Sequence, residues 1–256
     1  MQSPSLPGAE ASSFPMRSSP KKIIITGTGR AGTTFLVQLL TELGLDTGYT
    51  PDTWHKDYFE HCNAGLEHEI EDPQSPTIVK SPELSGRLPA ILARGTVEIS
   101  HALIPIRDLD AATRSRIRVG GDGRTPGGLR DTRDPIRQKS LLAENFHVLL
   151  HTLTTYEIPH TLLHFPRFAT DVDYAFKKLS FLAPDVSSEA FTGAFRRVAR
   201  PELIHEFNSS SRVPARKRDA HSHQAKRRRR RVRRILGWAA LAAVLFWLLV
   251  FPPLSD

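Results

Sequence analysis

A chain of 256 residues with one cysteine and a formal charge of +8 can build one α/β domain with a real core, but no intramolecular disulfide and no cysteine-based metal cluster. The charge is uneven: residues 212–234 hold twelve Lys and Arg against one Asp, a local +11 that leaves the remainder at −3. The total therefore gives no reason to expect a nucleic-acid partner, and the single cysteine suits a reducing compartment.

Residues 1–21, rich in Ser, Pro and Gly without an apolar run, read as a disordered lead-in. From residue 22 to 211, short apolar stretches alternate with helical periodicity. Ile23–Thr26 is a strand; Phe35, Leu36, Leu39, Leu40 and Leu43 mark one face of a helix that Gly44 ends. Residues 47–76 read as polar and irregular. Strands follow at Thr77–Lys80, Ala102–Ile106 and Thr161–Phe165, with helices over 84–92, 109–119, 136–156, 171–182 and 188–198. Between them, residues 120–135 contain five glycines, three arginines and two prolines, a loop long enough to act as a lid. Alternation of this kind predicts a P-loop NTPase-like three-layer sandwich with a central parallel sheet, whose ligands bind beyond the carboxyl ends of the strands.

The tail differs in character. After the polybasic linker 212–234, Ile235–Phe251 is uncharged for 17 residues, roughly 25 Å as a helix, before a short end at 252–256. Arginines packed against one end of an apolar run predict a single-pass C-terminal membrane anchor, with the main domain facing the cytoplasm and the basic run near anionic lipid.

Two segments carry the chemistry. Residues 23–34 read as a strand entering a glycine-rich turn and then a helix. Gly27 and Gly32 have the spacing of a nucleotide-binding P-loop, but Thr33 stands where its lysine belongs, and the nearby cation is Arg30. Backbone amides of Gly29, Arg30, Ala31, Gly32, Thr33 and Thr34, the two threonine hydroxyls and the helix start suit an anion. In the second segment, Arg107 leaves a strand end and Ser115 follows eight residues later.

Together these segments resemble the sulfotransferases that use 3′-phosphoadenosine 5′-phosphosulfate (PAPS). The resemblance covers about residues 22–200 and rests on the Arg30–Thr34 loop and the Arg107/Ser115 pair; a further stretch, Thr161–Arg167 with the helix after Asp171, is similar to the family's late strand and helix. It implies that the loop holds the phosphosulfate, that Arg107 and Ser115 hold the 3′-phosphate, and that Phe35 packs on adenine. PAPS is then the co-substrate, without a metal. Arg30 is the cation for the leaving phosphate and Lys80, at a strand end, contacts the sulfuryl group. The family's cytosolic branch has a histidine two residues after that lysine, where this chain has Pro82, so the base is taken instead from Glu67, Glu83, His55 or His61, in that order. The expected acceptor is a hydroxyl or amine on a small molecule, glycan or lipid-linked group. Two alternatives stand beside this: a P-loop kinase or NTPase, and a catalytically silent nucleotide-binding module recruited to membranes.

Overall fold

The computed structural model describes residues 21–120, 127–129, 132 and 134–204. The expected membrane anchor, the polybasic linker and most of the glycine-rich loop lie outside these residues. Among the described residues, no helix is long and apolar enough to cross a membrane.

Four strands form the central sheet: β1 (Lys21–Ile25), β4 (Ile78–Lys80), β5 (Glu98–Ile106) and β6 (His160–His164). Their order is β4-β1-β5-β6 and every pairing is parallel. Side chains alternate across each strand, so one face collects Ile25, Leu103 and Leu163 and the other Ile24, Val79, Ala102 and Ile104. Helices α1 (Thr33–Glu42), α5 (Arg167–Thr170), α6 (Val172–Leu179) and α7 (Ser188–Val198) cover the first face. The second is covered by α2 (Leu84–Arg94) and α4 (Pro135–Thr155). α3 (Leu109–Val119) follows β5 and packs beside α4. The expected three layers and parallel sheet are present.

Several bounds differ from the sequence reading. β5 runs back to Glu98, four residues before the expected start, because Glu98, Ile99 and His101 pair with Lys21, Lys22 and Ile23 of β1. β1 begins at Lys21, inside the stretch read as lead-in, where it pairs with Glu98. The stretch 47–76 is not wholly irregular. A 3-10 turn (Trp54–Asp57) leads into a short antiparallel hairpin, β2 (Tyr58–Phe59) and β3 (Ala64–Gly65). Buried Lys22 fastens this stretch to the sheet by donating to the carbonyls of Ser75 (2.5 Å) and Pro76 (2.9 Å).

Side chains cap the starts of α3, α4, α6 and α7, through Asp108, Asp134, Asp171 and Ser187. α1 begins at Gly32, in the left-handed region, with no side-chain cap. Its first-turn amides therefore open directly off the loop after β1.

Leu103 is fully buried at the centre of the larger core cluster. Leu103→Ala is expected to lower stability by about 2–5 kcal/mol, read as a fall in the urea midpoint with an unchanged m-value.

Candidate active site

The loop after β1 takes its shape from residues in the left-handed region: Gly27, Gly29 and Gly32, and also Arg30 at φ 55°. Gly32 has no alternative, since a Cβ there would lie 2.8 Å from the Phe165 ring and 2.9 Å from Phe168. The loop opens into a cleft of about 830 Å³ across the carboxyl ends of the strands. Gly29, Arg30, Gly32, Thr33, Thr34 and Phe35 line it, with Arg107 and Ser115 from beyond β5 and Lys80 from the end of β4. The sheet order explains the assembly, because β1 lies between β4 and β5 and all three strands end on the same side.

Specific bonds draw together the two segments expected to bind anions. The Arg30 Nε donates to Ser115 Oγ at 3.1 Å, and Arg107 Nη1 donates to the Arg30 carbonyl at 3.0 Å. Arg30 Nη1 also donates to the Cys62 carbonyl, which ties the loop to the β2–β3 hairpin. The guanidinium of Arg30 thus sits between the two expected anion positions. Burial, reinforced by the charge of Arg30, pushes Arg107 down to about 10, and its guanidinium lies 4.9 Å from the centroid of the Phe165 ring. Arg30 is likewise lowered by burial. An anion between them would relieve this mutual repulsion and offset the desolvation.

Lys80 is not the solvated lysine that a strand end often carries. It is 2% exposed, and its Nζ donates to the Gly65 carbonyl and pairs with Glu67 Oε1 at 3.1 Å. Burial lowers its pKa, with Glu67 opposing. Two residues singled out separately in the sequence therefore form one pair. Glu83 and His55 also line the cleft.

Two candidates stand apart. His61 is exposed and does not line the cleft, because it lies in the hairpin turn against Phe59. Ala31 points its methyl into the core, so its backbone alone is left for a ligand. Phe35 lines the cleft while packing against Phe168 and Phe195, at centroid distances of 5.8 and 5.5 Å.

Other cleft residues were not foreseen. Trp54, Tyr58 and Asn63 come from the stretch read as irregular, with the Tyr58 hydroxyl donating to Asn63 Oδ1 at 2.6 Å. Arg200, Leu203 and Ile204 close another side after α7. Arg116 is 2% exposed, and in the sequence it alternates with Arg114 and Arg118 as if on a solvated stripe. Among the described residues no group of three or more His, Cys, Asp or Glu is arranged to hold a metal.

No protein-family model matches this chain, and no curated protein matches it. Two solved structures are similar to it. The sulfotransferase domain from the Synechococcus PCC 7002 olefin synthase shares 12% identity over 78% of this chain and 83% of its own, with a TM-score of 0.42. The sulfotransferase domain from the curacin biosynthetic pathway shares 15% identity over 71% and 78%, with a TM-score of 0.41. At these values the likeness carries no argument about the site, which is read from its own geometry.

The Lys80 shift has a consequence for stability. A lysine whose folded pKa lies below its unfolded value holds its proton less tightly when folded, so the unfolded state binds more protons as pH climbs through the folded pKa. Stability then rises with pH across that window. Wild type is expected to gain stability relative to Lys80→Met in urea titrations as the pH rises towards the ordinary lysine value of 10.5; a constant difference would show that Lys80 titrates alike in both states.

Proposed function

We propose that this chain binds PAPS across the carboxyl ends of its sheet and transfers the sulfuryl group to a hydroxyl or amine acceptor. The observation that carries this is the contact of Arg30 with Ser115 at 3.1 Å, joined by Arg107 on the Arg30 carbonyl. Two segments expected to hold opposite ends of one bisphosphate meet in a single cleft. In this reading Arg107 and Ser115 take the 3′-phosphate. The amides of residues 29–34 and the hydroxyls of Thr33 and Thr34 take the phosphosulfate, with Phe35 beside adenine.

PAPS supplies an activated sulfuryl group. The acceptor oxygen or nitrogen forms a bond to sulfur as the bond from sulfur to the bridging oxygen breaks. That electron pair stays on the 5′-phosphate, where Arg30 offsets the growing charge. The acceptor proton passes to a base, for which Glu67 remains first, ahead of Glu83 and His55. The Lys80 ammonium, beside Glu67, is the cation for the moving group.

The kinase or NTPase reading is less well supported. It asks for an acid beyond a hydrophobic strand to help hold Mg²⁺. After β5 the first position is Arg107, and the Asp108 carboxylate accepts from the Ala111 amide at 2.8 Å as the cap of α3.

Calorimetry on the full chain tests the reading. Adenosine 3′,5′-bisphosphate is expected to bind more tightly than Mg-ATP, and Arg107→Ala to weaken it about tenfold or more, as loss of a charge-assisted contact implies. Preference for Mg-ATP would sink the proposal. In turnover assays, Glu67→Gln should abolish sulfuryl transfer while keeping bisphosphate affinity; unchanged turnover removes Glu67 from the role.

From the sequence alone, we further propose that residues 235–251 anchor the protein to a membrane with its domain on the cytoplasmic side, next to a membrane-proximal acceptor. The full chain should float with phosphatidylserine-containing vesicles after a high-salt wash, and a variant lacking residues 235–256 should not. Equal flotation of the two would defeat the anchor.

A further inference from the structure

We propose that Arg116 is a positioning residue for the donor loop, acting through two backbone carbonyls; the inference rests on the cleft binding a phosphorylated donor as proposed above. Arg116 follows Ser115 on α3 and is 2% exposed. Its Nη2 donates to the Thr28 carbonyl at 2.8 Å and its Nη1 to the Gly128 carbonyl at 2.6 Å. One guanidinium therefore bridges the loop after β1 and the glycine-rich segment after α3, 12 residues along the chain on one side and 88 on the other.

The effect on the loop follows from peptide geometry. In a planar trans peptide, the carbonyl of one residue and the amide of the next point in opposite directions. Holding the Thr28 carbonyl fixes the plane that carries the Gly29 amide. Arg107 does the same two residues later, since its bond to the Arg30 carbonyl fixes the plane of the Ala31 amide. Two arginines from the β5–α3 segment thus grip the loop by its carbonyls and set the direction of its donors. Gly29 is required for this, because a Cβ there would come within 2.5 Å of Arg116 Nη2.

The glycine-rich segment takes part. Gly128 accepts from Arg116, and a Cβ on its neighbour Gly127 would lie 2.7 Å from Arg30 Nη1. Adjacent glycines therefore receive Arg30 of the loop and Arg116 of α3. A lysine in place of Arg116 keeps the charge but lacks the rigid fork that reaches both carbonyls. Charge and geometry can thus be separated by experiment.

The test is calorimetric affinity for adenosine 3′,5′-bisphosphate in the full chain, with thermal melting recorded for each variant. Arg116→Lys is expected to bind about tenfold more weakly than wild type, since one forked pair of hydrogen bonds is lost while the charge stays. Arg116→Ala should regain affinity when methylguanidinium is added, without a matching change in Arg107→Ala. Arg116→Lys with wild-type affinity, or Arg116→Ala without rescue, overturns the inference. Should either Arg116 variant fail to fold, Gly29→Ala carries the test, because a Cβ there would displace Arg116 Nη2: it should weaken binding, and wild-type affinity there overturns the inference. A wild type that binds no bisphosphate overturns the proposed function first, and this inference with it.

Discussion

Carbonyl oxygens hold the arginines around the loop after β1, and the rest of the site depends on this. Arg30 donates to Cys62, Arg107 to Arg30 and Arg116 to Thr28 and Gly128. A backbone carbonyl satisfies a guanidinium donor without neutralising its charge. Each such bond fixes a cation in place and leaves its field acting on the cleft.

The core makes that arrangement rigid. α1 packs Leu36, Leu39 and Leu40 into the cluster that also holds Phe168 of α5 and Phe191 of α7. The helix that opens off the loop is therefore held at its start by the packing of Phe35 on Phe168 and Phe195. The loop itself cannot relax towards an ordinary turn, because Gly32 lies against the rings of Phe165 and Phe168. Placing donors on such a scaffold means their orientation is settled before a ligand arrives, which is where electrostatic binding sites gain most of their effect.

Much of this was legible in the sequence, for identifiable reasons. Strand–turn–helix periodicity located β1 and α1, and small residues in the turn located the anion loop. The position of Arg107 just after a strand of a parallel sheet placed the second segment at the same, carboxyl, end of the sheet. Local pattern carries such features because they are made by neighbours in the chain. Burial is another matter. Lys80 and Arg116 are charged residues whose burial no local pattern reveals, yet both are 2% exposed because distant carbonyls accept hydrogen bonds from them. The partner of Lys80 at Gly65 is 15 residues away and that of Arg116 at Thr28 is 88 away. The β2–β3 hairpin was missed for a related reason: two residues per strand are too few to show alternation.

Sheet order also distributes charge along the cleft. β5 lies on one side of β1 and delivers Arg107 and Arg116; β4 lies on the other and delivers Lys80, with Glu83 just beyond it. The hairpin that precedes β4 adds Glu60 and Glu67 to the same wall. Lys80 meets Glu67 there at 3.1 Å. A polyanion laid across β1 and β5 would meet Arg30 and Arg107 together. The register of such a ligand follows from the order of three parallel strands, before any single contact is considered.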